Sequence, residues 1–351
     1  MKKALTLLVL LALAGIGGFV VYSRVDEVYR GYDGAFGEVV IPAGASPRAI
    51  GDRLVAAGVV RDTLTFRIAL VLTGEARRLK AGEFRFDRPM TPREVIDKIA
   101  RGEFDLINIT FREGLTIAEM AGLFESQGFG SADSFRDAAR EVALISDLDP
   151  SAADLEGYLF PDTYPVSRHV DAAHMVRAMV ERFGHVLTPD LRAAASAKGF
   201  TVRQFVTLAS IVEKETGAAA ERPVVAAVYS NRLKIGMGLQ CDPTVIYALQ
   251  LAGKYDGNIR REDLSFDSPY NTYRYGGLPP GPIAAPGRDS LEAAAHPDSA
   301  DYLFFVSKND GTHAFARTLD EHNRNVQKYQ VQYFRDKRLA AQREAAAPHA
   351  H

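Results

Sequence analysis

The sequence has a single cysteine, Cys241, and no tryptophan. One cysteine excludes an intramolecular disulfide bond and a cysteine-rich zinc site. The absence of tryptophan removes a residue that often stacks on sugar rings, a role that the 14 tyrosines and 19 phenylalanines can also fill. The net charge of −2 gives no sign of a nucleic-acid partner. Because the eight histidines show no metal-ligand spacing, we expect no metal and no other cofactor.

The N-terminus carries the longest apolar run of the chain. Lys2 and Lys3 precede residues 4–22, which are apolar apart from Thr6. At about 1.5 Å per residue, such a helix reaches across the hydrocarbon core of a bilayer. A cleaved signal peptide would use residues 12–14 (ALA) as its processing site, but the apolar run continues beyond them. We therefore expect residues 1–24 to form a cytoplasmic tip and an uncleaved inner-membrane anchor, with the rest of the chain in the periplasm.

A pattern recurs at a fixed offset of 70 residues. It consists of a short strand, a glycine turn, a Ser or Thr N-cap, an amphipathic helix and a glycine at the helix end. The corresponding pairs are Gly44 and Gly114, Ser46 and Thr116, Leu54 and Phe124, and Gly58 and Gly128. This recurrence indicates two related supersecondary units.

The 351 residues leave room for two or three domains, and we expect an α+β fold. The layout of residues 38–105 resembles a LysM-like β-α-α-β module, a unit that binds glycan chains in many proteins; a structural module without a ligand is the alternative. Residues 106–150 are expected to be a second, repeat-like segment that leads to a catalytic domain over residues 151–337. A frayed tail is expected over residues 338–351.

Within residues 151–337 the apolar periodicity and capping residues predict mostly helices. Helices are expected over residues 172–183, 189–198, from 202 onward, 224–233, 243–248 and from 319 onward, with a buried strand over 302–306 and its hairpin partner over 311–315. Residues 270–287 contain four prolines and four glycines, which indicates a long loop. Its tyrosines and other apolar residues favour an ordered, functional loop over a disordered one.

The apolar helix that ends near residue 216 carries two carboxylates, Glu213 and Glu215. Residues two apart on a helix point about 200° away from each other, so only one of the two should reach a common cleft. A carboxylate at the end of a buried helix is partly desolvated, which lets it hold a proton near neutral pH and act as a general acid. Taken alone, the segment also fits a helix that finishes in solvated charges.

Several polar and aromatic segments suit a saccharide site, since tyrosine rings stack on sugars while amides and hydroxyls bind their polar groups. The motifs resemble those of the MltG (YceG-like) family of endolytic murein transglycosylases. They are residues 155–164 (LEGYLFPDTY), 209–216 (ASIVEKET), 231–233 (NRL), 239–245 (LQCDPTV), 270–273 (YNTY) and 277–283 (GLPPGPI).

The resemblance implies that Glu213 is the catalytic acid and base. The reaction cleaves the β-1,4 bond between N-acetylmuramic acid and N-acetylglucosamine and closes a 1,6-anhydro ring without water. One carboxylate is therefore enough, whereas most hydrolases use two. Glu215 is the rival for this role and is otherwise expected to support the site together with Arg232. By resemblance, the enzyme cuts nascent glycan strands, terminates their elongation and works with peptidoglycan synthases of the penicillin-binding type.

The other candidates for substrate binding are Gln240, Asp242, Thr244, Asn271, Tyr273, Glu156 and Tyr158. Two of them have alternatives: Asp242 as an N-cap, and Glu156 as a buried partner of Arg232. We expect no consequence for the chemistry from Cys241. Two rival functions remain: a non-catalytic scaffold that binds peptidoglycan, and a cytoplasmic small-molecule lyase. The lyase is disfavoured by the N-terminal apolar run and by the lack of a recognisable pyridoxal-phosphate lysine.

Overall fold

The structure is a computed structural model that describes the backbone of residues 12–346 except residues 14 and 21. Most of the predicted anchor, including Lys2 and Lys3, lies outside the described residues, as do the last five residues of the predicted tail. Among the described residues, no helix combines the length and the apolar character needed to cross a membrane.

The fold is α+β and divides into two compact units. Unit 1 comprises the described residues up to Asn108 together with Pro165–His169, and unit 2 comprises Ile109–Tyr164 and the residues from Val170 onward. Residues 109–150, predicted as a separate segment, therefore fall in the same unit as the predicted catalytic domain. Two contacts join them: the ring of Phe111 lies 6.2 Å from that of Tyr164, and the Leu155 N–H donates to the Ala139 carbonyl at 2.9 Å.

The elements of unit 1 follow the order β-α-α-β-α. They are β1 (Gly37–Ile41), α1 (Pro47–Ala56), α2 (Thr63–Thr73), β2 (Gly82–Phe86) and α3 (Pro92–Arg101). The two strands are antiparallel, with Val39 opposite Phe84, and both of these side chains are buried. Thr91 caps α3 through a reciprocal pair of hydrogen bonds with Glu94. The relation to LysM modules and any glycan binding stay predictions.

Unit 2 is mainly helical around two small two-stranded sheets. Its strands are β3 (Ile107–Thr110), which begins in unit 1 and pairs with β4 (Thr163–Val166), and the antiparallel pair β5 (Phe304–Ser307) and β6 (His313–Ala316). Its helices are α4 (Ile117–Ser126), α5 (Ala132–Ala138), α6 (Ala172–Val186), α7 (Pro189–Ala197), α8 (Val202–Glu215), α9 (Arg222–Lys234), α10 (Asp242–Leu251), α11 (Arg288–Ala295), α12 (Leu319–Val326) and α13 (Tyr333–Ala346).

The fixed-offset pattern corresponds to matching local structure in the two units. Helices α1 and α4 begin 70 residues apart, and the hydroxyls of Ser46 and Thr116 accept from the backbone N–H three residues on, at 3.2 Å in each case. Gly44 and Gly114 take left-handed φ values of 74° and 75°, which a residue with a Cβ adopts only at a cost. The same turn chemistry thus starts both helices.

The predicted helices of unit 2 are present, with ends displaced by a few residues. Three elements had not been expected: β4, α5 and α11. The β5 strand is half-buried rather than buried, and a π-helical turn over Gln327–Gln332 interrupts the last predicted helix. Helix α11 was missed because it has only eight residues and follows directly on the proline- and glycine-rich loop, so its apolar periodicity covers too few turns to indicate a helix.

Candidate active site

Helix α8 runs through the interior of unit 2 and carries both candidate carboxylates in its last turn. Its start is fixed by a capping box, in which the Thr201 hydroxyl accepts from the Gln204 N–H and the Gln204 side chain accepts from the Thr201 N–H. Every residue from Phe205 to Val212 is buried. The helix therefore emerges from the core only at its last turn, where Glu213 and Glu215 lie.

Glu213 is held by donors on two neighbouring segments. Its Oε2 accepts from the Ser290 hydroxyl at 2.7 Å and from the Gly287 N–H at 3.0 Å, and its Oε1 accepts from the Arg222 guanidinium at 3.3 Å. Only 6% of its side chain is exposed. With both oxygens engaged, Glu213 ties α8 to α9 and α11.

Three carboxylates surround the Arg222 guanidinium. Besides Glu213, its nitrogens lie 3.6 Å from Glu113 and 3.7 Å from Asp289. Burial and the nearby charge of Glu213 raise the pKa of Glu113. Glu213 and Glu113 also border a depression of about 320 Å³ that is distinct from the groove described next.

Glu215 faces a groove of about 420 Å³. The groove is lined by Glu215, Tyr229, Arg232, Gln240, Asp242, Tyr273, Phe304, Phe305, Val306, Ser307, His313, Leu319 and His322. The Glu215 Oε2 accepts from the Cys241 thiol at 3.4 Å. Burial raises the pKa of Glu215 to about 6, and the negative charge of Asp242 acts in the same direction. Near neutral pH a fraction of this carboxyl group therefore keeps its proton.

Three of the predicted binding residues line this groove: Gln240 from the loop before α10, Asp242 from the first turn of α10 and Tyr273 from the long loop. The Gln240 N–H donates to the Thr272 carbonyl at 3.2 Å, and its backbone takes φ 48°, an uncommon value for a residue other than glycine. The Tyr273 hydroxyl donates to the Asp242 carboxylate at 2.6 Å. Asp242 is the first residue of α10 and does not cap it, because Cys241 occupies the N-cap position.

Arg232 supports one wall of the groove. Its guanidinium donates to the Leu303 carbonyl at 2.6 Å and to the Leu239 carbonyl at 2.5 Å. It thereby joins α9 to the loop before α10 and to the residue before β5. Burial lowers the pKa of this arginine.

Two of the predicted binding residues lie behind the groove rather than in it. The Thr244 hydroxyl donates to the Cys241 carbonyl at 2.6 Å and is buried. The Asn271 amide donates to the carbonyls of Leu264 and Phe266, at 3.0 Å and 2.8 Å. Both side chains are used to hold the long loop and the start of α10 in place.

Glu156 and Tyr158 lie away from Glu215. The Glu156 carboxyl group accepts from the Ile117 N–H and from the Tyr247 hydroxyl, each at 3.2 Å, and does not pair with Arg232. It borders a separate cavity of about 340 Å³, and burial raises its pKa to about 8. The Tyr158 hydroxyl donates to Asp149 at 2.8 Å inside the core.

The β5–β6 hairpin supplies groove residues that the sequence analysis did not select. The Nδ1 of His313 lies 2.7 Å from Glu221, whose other oxygen accepts from the His313 N–H at 2.9 Å. The ring of His322 stacks on Phe304 with the centroids 5.3 Å apart. The described part of the chain contains no group of acidic, histidine or cysteine side chains suited to a metal.

The groove thus combines one carboxyl group that holds a proton near neutral pH with amide, hydroxyl and aromatic groups. Such a set can protonate a leaving group and bind a polar, ring-shaped substrate. The structure brings together Glu215, Arg232, Gln240, Asp242 and Tyr273. Five of the other predicted site residues lie outside it: Glu213, Thr244, Asn271, Glu156 and Tyr158.

Comparison with known proteins assigns the chain to a family. The model of the YceG-like family matches residues 39–328, and the chain therefore belongs to that family. A YceG-like protein of Listeria monocytogenes has a similar crystal structure, with a TM-score of 0.56 and 31% identity over 82% of this chain and 98% of that chain.

Two curated relatives carry the same name. The endolytic murein transglycosylase of Bacillus subtilis is 33% identical over 305 residues, which cover 82% of this chain and 83% of the relative. The endolytic murein transglycosylase of Streptococcus pneumoniae is 30% identical over 357 residues. That alignment covers 92% of this chain and 64% of the relative, so the chain matches less than two thirds of the pneumococcal protein.

Proposed function

We propose that the chain is an endolytic lytic transglycosylase of peptidoglycan that acts outside the cytoplasm. The names of its relatives support this activity. The observation that carries the chemistry is a single half-buried carboxyl group, Glu215, in a groove of a size and polarity suited to amino sugars. A reaction without water needs one acid and base, and the groove offers one carboxyl group whose pKa is raised to about 6.

We further propose that Glu215, rather than the sequence-predicted Glu213, is the catalytic acid and base. Three protein donors already occupy both oxygens of Glu213. Glu215 accepts a weak hydrogen bond from a thiol and lies beside the Tyr229 side chain, and it faces the groove that also holds Gln240, Asp242 and Tyr273. The assignment to Glu213 stays a prediction until the two residues are separated by experiment.

In the proposed reaction Glu215 acts twice. Its carboxylic acid gives a proton to the glycosidic oxygen while the bond from that oxygen to C1 of N-acetylmuramic acid breaks. The resulting carboxylate then takes the proton of the C6 hydroxyl, whose oxygen forms the new bond to C1. The products are a 1,6-anhydro end and a free C4 hydroxyl on N-acetylglucosamine, and Glu215 regains its proton.

The groove residues have matching roles in this proposal. Gln240 is exposed and presents an amide to sugar hydroxyl or N-acetyl groups. Tyr273 offers a ring face for stacking while its hydroxyl positions the Asp242 carboxylate. Burial raises the pKa of Glu215, and the negative charge of Asp242 adds to that effect. Arg232 holds the groove wall.

The cellular setting is part of the same proposal. The apolar run of residues 4–22 anchors the protein in the inner membrane, with the catalytic unit in the periplasm. A tether at the membrane surface suits an enzyme that cuts nascent strands and terminates their elongation, and peptidoglycan synthases of the penicillin-binding type are the proposed partners. The β-α-α-β module of unit 1 is proposed to bind glycan.

The product chemistry tests the reaction. Purified full-length protein is incubated with uncrosslinked glycan strands, and the ends are identified by mass spectrometry, beside the Glu215→Gln variant. Anhydro-muramoyl ends from the wild type alone support the proposal. Reducing ends identify a hydrolase, with Asp242 as the first candidate for a second carboxylate. If neither protein cleaves strands that both bind, the scaffold function replaces the enzymatic one.

A further inference from the structure

The thiol of Cys241 lies against the carboxyl group of Glu215. Cys241 is fully buried, and its Sγ donates to the Glu215 Oε2 at 3.4 Å. The backbone around the thiol is fixed on both sides: the Cys241 N–H donates to the Thr272 hydroxyl at 3.0 Å, and its carbonyl accepts from Thr244 at 2.6 Å. The donor therefore approaches Glu215 from a rigid position.

Cys241 occupies the N-cap position of α10 without capping that helix. Its side chain makes no hydrogen bond to the first turn of the helix, where a capping side chain would accept one. The thiol points instead at Glu215. The residue type at position 241 thus matters more for the carboxyl group than for the helix.

We propose that Cys241 is a positioning residue for Glu215: its thiol orients the carboxyl group in the groove and sets how readily that group gives up its proton. This proposal rests on the proposed role of Glu215. It differs from the expectation, drawn from the sequence, that the cysteine has no consequence for the chemistry.

Two physical arguments support it. Burial raises the pKa of the Cys241 thiol well above its usual value, so the sulfur keeps its proton and remains a donor. A donor to the charged form of a carboxyl group favours that form and lowers its pKa, but a thiol is a weaker donor than a hydroxyl. The cysteine therefore lowers the pKa of Glu215 only moderately, and the protonated form of the carboxyl group stays populated.

Other groups act on Glu215 from every element that borders the groove. The Asp242 charge on α10 opposes ionisation of Glu215, while Tyr229 on α9 and His313 on β6 favour it. The remaining titratable groups of the groove are Arg232 on α9, Tyr273 on the long loop and His322 on α12. Tyr229 also contacts the Cys241 thiol, and this contact changes with position 241 as well.

The test compares three side chains at position 241 in the full-length protein. Cys241→Ser supplies a stronger donor and is expected to lower the pKa of Glu215, whereas Cys241→Ala removes the donor and is expected to raise it. A hydrogen bond to a charged group contributes enough for shifts of about 0.5 to 1 unit in each direction. The pKa is read from the side-chain carbon signal in protein labelled at the glutamate carboxyl carbon, assigned through its loss in Glu215→Gln.

The pH dependence of cleavage is measured on the same variants. Val245→Ala serves as the control, because Val245 is buried in the same helix and has no polar side-chain atom to offer Glu215. The upper pH limit of activity is expected to fall for Cys241→Ser, to rise for Cys241→Ala and to stay in place for Val245→Ala. A purely structural role for Cys241 would change the rate without moving this limit.

The outcomes separate the two proposals. Opposite shifts of the Glu215 pKa in the serine and alanine variants support the positioning role. An unchanged pKa, or a shift of the same sign in both variants and in Val245→Ala, overturns it. If the pKa moves while the pH limit of cleavage does not, Cys241 does position Glu215, and the role of Glu215 as the acid is rejected instead.

Discussion

Glu213 and Glu215 lie two residues apart on one helix, yet their surroundings differ in kind. Glu213 accepts from a guanidinium, a hydroxyl and a backbone N–H, and its neighbours include two more carboxylates around Arg222. Glu215 accepts from a thiol and faces a groove with a single nearby carboxylate, Asp242. The number and strength of the hydrogen-bond donors therefore distinguish a structural carboxylate from one that can transfer a proton.

Chemical rescue gives the largest expected difference between the two residues. Glu215→Ala is expected to lower the rate of cleavage by about 10²–10⁴-fold, the usual contribution of a general acid. Added formate should restore part of that rate, since it can carry a proton into the space left by the side chain. Glu213→Ala should show no rescue. Rescue of Glu213→Ala but not of Glu215→Ala would reverse the comparison.

The free energy of unfolding, in contrast to the rate, should depend mainly on the surroundings of Glu213. Arg222→Ala leaves Glu213 buried without its cation, and breaking a buried ion pair costs about 3–5 kcal/mol. We expect this loss in the free energy of unfolding measured with urea. The control is Arg136→Ala, which removes an exposed pair with Asp133 and should cost about 0–1 kcal/mol. Equal losses in the two variants would show that the Glu213 cluster is not structural.

The pH dependence of activity sharpens the assignment of the proton donor. Because the pKa of Glu215 is raised to about 6, the rate of cleavage should fall about tenfold per pH unit well above that value. Asp242→Asn removes a negative charge that disfavours ionisation, so the pH limit should move down. Glu213→Gln should leave the limit unchanged, and a shifted limit in that variant would link Glu213 to the proton transfer.

The smallest expected effect concerns the third buried carboxyl group, Glu156. Its pKa is raised to about 8 in the folded protein, so the native state binds one more proton than the unfolded state between about pH 5 and 8. Stability should therefore decrease as the pH rises through this window. Glu156→Gln, a neutral isostere, should reduce the steepness with which the free energy of unfolding falls with pH, by the equivalent of one proton, without abolishing cleavage. An unchanged slope would mean that Glu156 is ionised in the folded protein.

Local sequence signals predicted much of the frame that carries the site. The predicted N-caps Ser46 and Thr116 are formed, and the fixed offset of 70 residues corresponds to matching turns and helices. The spacing of Glu213 and Glu215 also predicted that the two side chains would point to different places. These are properties of a few neighbouring residues, which a sequence displays directly.

The choice between the two carboxylates depends on partners from distant parts of the chain. Ser290 binds Glu213 across 77 residues, and Cys241 binds Glu215 across 26. No periodicity or spacing in the helix indicates which face will meet a guanidinium and which will meet a groove. The same applies to His313 and Phe304, which reach the groove only because the β5–β6 hairpin folds back on α9 through Asn231 and Arg232.

The most direct test of the account compares Glu213→Gln with Glu215→Gln in one assay. Both variants keep the size of the side chain and remove its ability to exchange a proton, and both are incubated with the same glycan strands. We expect anhydro-muramoyl ends from Glu213→Gln and none from Glu215→Gln, with both variants folded and able to bind the strands. The opposite result, cleavage by Glu215→Gln and none by folded Glu213→Gln, would contradict it.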